Sequence, residues 1–236
     1  MSRLPKIDKP LFQLLVPSTG KTISCRPFVV KEEKILLTAQ QSGLEKDIVL
    51  AIKQVLNNCI QEPFDLESLT TFDLEYMFLK LRSRSVNNVV EVSYRDFEDE
   101  KIYKFNIDLE EVVMSNDTNA SNKIMASDDI GLVMKYPSVS ILENAPEDAS
   151  PTEMVEYLVK SCIQSVFDSE NVYVMSEHAD EEIEDFIDSL SVETFSKIRE
   201  FFDNIPKMQY KIEYTNSLGN ARVIELNSLS DFFTWG

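Results

Sequence analysis

The sequence predicts an α+β fold in which two related helix–β-hairpin modules follow a small N-terminal β-hairpin. One observation behind this is that amphipathic stretches with helical spacing alternate along the chain with pairs of β-rich segments around polar turns. The other is a repeat. The stretch NNCIQEPFD at Asn57–Asp65 has a near-copy, KSCIQSVFD, at Lys160–Asp168.

The first half of the chain predicts two hairpins and three helices. The turn sequence PSTG marks the first hairpin, and Gly43 is a suitable C-cap for the first helix. The predicted elements are a hairpin over Leu11–Val16 and Lys21–Phe28, helices over Lys31–Ser42, Glu45–Cys59 and from Thr71 or Asp73 to Ser85, and a hairpin over Val89–Tyr94 and Ile102–Leu109.

The second half begins after a polar, turn-rich segment at Ser115–Asp129. A strand is predicted in IGLVMKYP, and the next helix is expected to be capped by Thr152 and to carry Cys162, Ile163 and Val166 on its apolar stripe. The remaining predicted elements are an acidic stretch over Asp168–Asp188, a helix from Val192, and a hairpin over Met208–Thr215 and Arg222–Leu226.

These elements recur in the same order in both halves, which predicts an internal duplication. Ser68–Ser83 aligns with Ser191–Pro206 at an offset of 123 positions, against 103 for the two CIQ stretches, so about 20 residues are inserted after Asp168. The expected division is a first module over 1–114, a polar connector over 115–150 and a second module over 151–236. The alternative is two unrelated pieces that share common elements.

Composition and charge narrow the functional classes. The 236 residues are 43% hydrophobic, enough for a substantial core, and carry a net charge of −18. Residues 1–34 have a net charge of +4 and the rest −22, so we expect an acidic body with a basic arm that binds proteins and not nucleic acid. The alternative is a solvated surface whose charge serves solubility. Apolar runs are too short for a membrane span, and the N-terminus lacks a secretory signal. The odd cysteine count fits a reducing cytoplasm.

The search for catalytic, cofactor and metal sites predicts none. His178, the one histidine, lies in a charged segment where a solvated side chain is expected. Neither later hairpin tip has a cysteine, which excludes a zinc ribbon, and Cys59 and Cys162 are expected in the core. No small-molecule substrate is implied.

Two segments suggest contacts with partner proteins. Phe232, Phe233 and Trp235 are interface anchors or fold back onto the hairpin, and both alternatives stay open. The acidic stretch Asp168–Asp188 has nine acidic residues and no Lys or Arg. It either binds a basic partner surface or is a solvated helix whose apolar residues face inward.

Three stretches resemble a known family: RPFVVKEEKILLTAQQSG at Arg26–Gly43, TTFDLEYMFLKLRSRSVNNVVEVSYRD at Thr70–Asp96, and IELNSLSDFF at Ile224–Phe233. The chain is similar to the baseplate hub assembly proteins of T-even-type bacteriophages, which have contractile tails. The resemblance implies a non-enzymatic hub component or assembly chaperone that contacts other hub proteins. It would act in the host cytoplasm during assembly, and whether it stays in the tail baseplate of the virion is left open.

Within this resemblance, we expect Arg82 and Arg84, at the end of the third helix, to contact partners together with the basic arm and the C-terminal aromatics. The alternatives are a carboxylate-dependent cell-wall hydrolase associated with the hub, and a nucleic-acid mimic.

Overall fold

Helices and short antiparallel strands alternate along the chain in the computed structural model, which describes Ile7 and residues 9–42, 45–115, 122–146 and 149–232. The predicted α+β class is therefore confirmed. The helices are α1 (Val30–Ser42), α2 (Glu45–Cys59), α3 (Thr71–Ser85), α4 (Val139–Glu143), α5 (Pro151–Cys162), α6 (Asp180–Asp188), α7 (Val192–Asp203) and α8 (Leu229–Phe232). The strands are β1 (Phe12–Val16), β2 (Lys21–Cys25), β3 (Val89–Arg95), β4 (Ile102–Asp108), β5 (Val113–Met114), β6 (Lys123–Met125), β7 (Gly131–Met134), β8 (Ile163–Phe167), β9 (Val172–Val174), β10 (Met208–Thr215) and β11 (Ala221–Leu226).

The chain forms two compact units. Unit 1 contains the described residues within 1–66, 72–115 and 207–236, and unit 2 those within 67–71 and 116–206. The division expected from the sequence (1–114, 115–150 and 151–236) groups residues 207–236 with the second half, whereas the compact unit joins them to the first. The duplication itself stays a prediction.

Unit 1 begins with the predicted hairpin. Strands β1 and β2 pair in the register Phe12↔Cys25 to Val16↔Lys21. Gly20 closes the turn with a φ of 67°, a left-handed conformation that glycine adopts without steric cost. Strand β2 then ends at Cys25, and the chain enters α1 through Arg26 and Pro27.

A buried ion pair joins the end of β2 to the start of α1. The Arg26 Nη2 atom lies 2.9 Å from Oε1 of Glu32, whose side chain is fully buried. Arg26 also donates to the carbonyl oxygens of Pro27 and Asn58, so it connects these elements to the end of α2. Glu32 in turn accepts the backbone N–H of Val29 at 3.0 Å. Burial opposes ionisation of Glu32, but the hydrogen bonds from Arg26 and Val29 and the charge of Arg26 outweigh it and lower its pKa.

The two CIQ stretches occupy similar local positions. Helix α2 ends at Cys59 and α5 ends at Cys162, both fully buried, as the sequence predicts. In the first stretch, the residue after Cys59 is Ile60, which forms an isolated antiparallel β-bridge with Cys25. In the second stretch the chain continues as β8, which pairs with β7 on one side and β9 on the other. The helical assignment of Ile163 and Val166 is therefore wrong, because sheet pairing outweighs the helical spacing of apolar residues.

Unit 2 contains a four-stranded antiparallel sheet with the order β6-β7-β8-β9, together with helices α4 to α7. Its core includes Leu132, Met134, Val159 and Ile198. Helix α5 is capped by Ser150 and not by Thr152 as predicted, because Ser150 and Glu153 form a reciprocal capping box with Pro151 as the first helical residue.

The two later hairpins are confirmed and lie in unit 1. Strands β3 and β4 pair from Val89↔Asp108 to Arg95↔Ile102. Strand β10 pairs with β11 on one side and with the short β5 on the other. The Ser115 N–H donates to the carbonyl oxygen of Lys207 at 2.7 Å. This hydrogen bond holds Lys207, where the chain re-enters unit 1, beside Ser115, where the chain leaves it.

We predict that Glu32→Gln lowers the free energy of unfolding by on the order of 2–4 kcal/mol, because it leaves the Arg26 guanidinium without its counter-charge in a partly buried position. Chemical denaturation followed by circular dichroism measures the change.

Glu33→Gln is the matched control, since it makes the same charge change in the same helical turn. One Glu33 carboxylate oxygen is buried without a hydrogen-bond partner among the described residues, so this variant should lose no stability. An equal loss in both variants would contradict a specific role of the Arg26–Glu32 pair.

Candidate partner-binding surfaces

The arginines at the end of α3 both have interaction partners within the protein. The Arg84 guanidinium makes two contacts of 3.4 Å with the Glu110 carboxylate and lies 5.3 Å from the centre of the Phe12 ring. Its side chain is half exposed. Arg82 is partly buried and also has an interaction partner. Arg84 is therefore held by residues of its own unit, and the contact of both arginines with a partner protein stays a prediction.

A buried lysine supports this corner of α3. Lys80 Nζ donates to the carbonyl oxygens of Leu109 and Glu110, at 2.9 and 2.7 Å. Burial lowers the pKa of Lys80, although the carboxylate of Glu110 opposes that shift. Ser83 donates to the same carboxylate at 2.6 Å. These bonds join α3 to the turn after β4.

The C-terminal aromatics are described only in part. Phe232 ends α8 with 2% of its surface exposed, and α8 lies against β3. Asp231 caps the helix by accepting the N–H groups of Asn227 and Ser228. Phe232 thus folds back into unit 1, one of the two alternatives left open, and its contact with a partner stays a prediction. Phe233 and Trp235 lie outside the described residues.

Glu75 of α3 packs beside this C-terminal helix. Burial raises its pKa to about 7, and the charge of Asp231 adds to the shift, although a backbone hydrogen bond from Leu229 opposes it. The carboxyl is therefore partly protonated at neutral pH.

A surface that the sequence did not indicate lies where the two later hairpins meet. We call their turns, residues 96–100 and 216–220, the hairpin tips. Behind the tips, the Tyr214 ring packs 4.9 Å from Tyr103 and 5.3 Å from Phe105, measured between ring centres. The inner faces of the two hairpins therefore share an aromatic layer.

Three acidic side chains of the first tip receive donors from the second hairpin. Asp96, 1% exposed, accepts the Tyr214 hydroxyl at 2.6 Å. Glu98 accepts the amides of Asn216 and Asn220 and the Arg222 guanidinium. The remaining carboxylate, Asp99, accepts the backbone N–H and the hydroxyl of Ser217 at 3.0 and 2.8 Å. The two tips are thus joined by a polar network.

The donors keep the three carboxylates ionised. The Tyr214 hydroxyl lowers the pKa of Asp96, and the amides of Asn220 and Asn216 lower that of Glu98. For Asp99, burial favours the neutral form, but hydrogen bonds from Tyr103, Lys101 and Ser217 outweigh it and lower its pKa. All three carboxylates bind and orient the donors of the second hairpin. None of them is suited to supply a proton at neutral pH.

Beyond this network, the tips present apolar side chains to solvent. Phe97 is 89% exposed and Leu218 is 60% exposed. The Phe97 ring makes an edge-to-face contact with the Tyr94 ring, at 6.2 Å between ring centres. An ordered turn that carries an exposed aromatic ring is typical of a protein-binding surface.

The three cysteines are buried and separate from any candidate site among the described residues. Burial raises the pKa of Cys25 and Cys162 to about 11 and that of Cys59 to about 12, so these thiols stay protonated and inert. Among the described residues no group of three or more His, Cys, Asp or Glu side chains is arranged to hold a metal ion. In the same part of the chain, no helix is long and apolar enough to cross a membrane.

Comparison with known proteins identifies the family. The family model described as T4 bacteriophage base plate protein matches residues 9–234. The chain belongs to this family. No curated protein and no solved structure matches this baseplate protein. The match spans both compact units, so each of them is part of the family's architecture.

The sequence predicts both turns but not their contact. The contact joins residues far apart in the chain, 118 positions in the case of Asp96 and Tyr214. One signal was available: Phe97 is an aromatic residue inside the charged turn RDFEDEK, where a side chain without local apolar neighbours has no reason to be buried.

We predict that Tyr214→Phe lowers the midpoint of thermal unfolding by several degrees, because the buried Asp96 loses its shortest hydrogen bond. Differential scanning calorimetry measures it. Tyr210→Phe is the control on the same strand, since its hydroxyl contacts the exposed Glu111 at 3.2 Å and its loss should have little effect. Equal midpoints for the two variants would contradict a special role of the Tyr214–Asp96 hydrogen bond.

We predict that Glu75→Gln stabilises the protein at pH 8 by about 1–3 kcal/mol. The folded pKa of Glu75 lies above its unfolded value. The folded state binds the Glu75 proton more tightly than the unfolded state does. The stabilisation from protonated Glu75 is therefore complete below pH 4.5 and is lost as pH rises through about 7. The advantage of the glutamine variant should shrink as pH falls from 8 to 5, as measured by urea unfolding. An advantage that does not change with pH would contradict the raised pKa.

Proposed function

We propose that this baseplate protein acts in assembly of the central hub of the baseplate through contacts with other hub proteins, without an enzymatic activity of its own. Two forms of the role are compatible with this: a component that remains in the hub, or a chaperone that leaves it. The proposal places the protein in the host cytoplasm during assembly and, as a component, in the tail of the virion.

The observation that carries the proposal is the exposure of Phe97 and Leu218 on two tips that are joined by hydrogen bonds. Aromatic and large aliphatic side chains contribute most of the binding energy when they enter a pocket of a partner. Side chains as exposed as these bury little apolar area within unit 1, and a binding role accounts for their exposure.

Preorganisation supports the same assignment. Glu98 and Asp99 hold the second tip through side-chain and backbone donors, so little conformational entropy remains to be lost on binding. The partner surface that fits is an apolar pocket lined by groups able to face the carboxylates around it.

The pKa values of the carboxyl groups support the hydrolase alternative less well than they support a binding role. A general acid for glycoside hydrolysis requires a carboxyl with a raised pKa beside a substrate cleft. Asp96 and Glu98 of the first tip have lowered pKa values, and Glu75, whose pKa is raised to about 7, packs against Leu229 as a structural group. A zymogram with peptidoglycan tests this alternative, and cleavage by the purified chain would overturn the non-enzymatic role.

We predict that the double variant Phe97→Ser, Leu218→Ser binds hub proteins at least about tenfold more weakly while folding normally, because both side chains already face solvent. Val192→Ser is the control, since Val192 is 90% exposed in unit 2. Tagged proteins are recovered from phage-infected cells, co-purifying hub proteins are quantified by mass spectrometry, and circular dichroism verifies folding.

Undiminished recovery of hub proteins by the double variant, or an equal loss with Val192→Ser, would refute the assignment of the tips. Mass spectrometry of finished virions separates the two forms of the role: a hub component is present at fixed stoichiometry, and a chaperone is absent.

A further inference from the structure

Unit 2 contains a cleft that the proposed hub contact does not use. Its volume is about 310 Å³, and it lies between the β8–β9 turn and helix α6. The floor is apolar and is formed by Val166, Met175, Ile183 and Phe186. A volume of this size is at the small end of ligand sites and suits one large side chain.

One wall of the cleft is an aromatic ring with a fixed place. Phe167 lies opposite Gly131 in the β7–β8 register. Gly131 has no side chain, and a Cβ atom there would overlap the Phe167 ring, so glycine allows the ring to cover the strand. Tyr173, from the exposed edge strand β9, adds a second ring to the lining.

The rim of the cleft is acidic. Asp168 and Glu182 line it, together with His178, whose Nδ1 atom lies 3.2 Å from the Glu182 carboxylate. Asp168 accepts the N–H groups of Glu170 and Asn171 at 2.8 and 2.7 Å and the Tyr173 hydroxyl at 3.0 Å, so its carboxylate is fixed in place. Glu182 is 69% exposed, and the His178 imidazole orients its carboxylate.

Among the described residues, acidic side chains outnumber basic ones around the cleft: Asp168 and Glu182 line it, and the Lys123 Nζ atom lies 5.8 Å from the centre of the Phe167 ring. Residues 168–188 contain nine acidic side chains and no lysine or arginine. Lys160, from α5, contacts Glu184 at 2.7 Å and Asp180 at 3.5 Å, on side chains that do not line this cleft. A cationic group that enters the cleft therefore meets a favourable field and an apolar floor.

We propose that this cleft binds the side chain of an arginine from a partner protein of the baseplate. The aliphatic stem lies on Ile183 and Phe186, the planar guanidinium stacks on Tyr173, and Glu182 accepts its N–H groups. Arginine fits better than lysine because its delocalised, weakly hydrated cation stacks on aromatic rings and makes paired bonds with a carboxylate. The assignment of the partner to the baseplate follows from the family; the chemistry of the cleft is independent of the hairpin tips.

The test is a titration of the full chain with N-acetyl-arginine methylamide, followed by ¹⁵N–¹H NMR. The matched probe is the citrulline analogue, which has the same shape without the charge. We expect saturable shifts at Tyr173, Met175, Glu182 and Ile183 with the arginine probe and at least fivefold weaker binding of the citrulline probe.

The variants separate the cleft from the general field of the acidic stretch. Glu182→Gln should weaken binding of the arginine probe at least about threefold. Glu181→Gln, which makes the same charge change on the same helix outside the lining, should leave it unchanged. Equal binding of both probes, equal losses in both variants, shifts outside the cleft or no shifts at all would each overturn the proposal. A change of oligomeric state on dilution that accompanies the same shifts would assign the cleft to a second copy of this chain and overturn it as well.

Failure here is distinguishable from failure of the hub proposal. Phe97→Ser, Leu218→Ser leaves the cleft intact and should bind the arginine probe with unchanged affinity. Loss of probe binding in that variant would show that the two surfaces are not independent and would also count against the arginine assignment.

Discussion

The architecture of the N-terminal half depends on the buried pair of Arg26 and Glu32. One guanidinium joins the end of β2, the start of α1 and the last turn of α2, because it donates to Glu32 and to the carbonyl oxygens of Pro27 and Asn58. Removing two charges from water is costly unless each remaining donor and acceptor finds a partner, and here the Glu32 carboxylate also accepts the N–H of Val29. The Arg-Pro-Phe to Lys-Glu-Glu-Lys stretch, by which the chain resembles its family, contains both residues of this pair.

Unit 1 is assembled from distant parts of the chain. Strand β10 adds to β5, and its hairpin packs against that of β3 and β4 through the ring of Tyr214. Phe232 then closes the same unit from the C-terminus, with Glu75 beside its helix. Long-range pairing of this kind costs chain entropy, which the shared aromatic layer and the buried Asp96 contacts offset.

The two candidate binding surfaces differ in chemistry. The hairpin tips expose Phe97 and Leu218 above a network in which every acidic side chain already has donors. The cleft of unit 2 has a different arrangement, an apolar floor below a rim on which the exposed Glu182 carboxylate lies beside the His178 imidazole. A protein that contacts more than one partner requires such separate specificities, since a single surface would bind competing partners alternately.

Local pattern by itself determined part of the secondary structure of this protein. The helical spacing up to Cys59 and the turn sequences PSTG (residues 17–20) and NSLGN (residues 216–220) are sufficient for α2 and for two hairpins, because side-chain periodicity and turn chemistry act over a few residues. Only the tertiary structure decided that Ile163 begins a strand and that Asp96 meets Tyr214, because sheet pairing and burial join residues whose separation along the chain leaves no local trace. The candidate surfaces follow the same rule: their residues are visible in the sequence, but their proximity is a property of the fold.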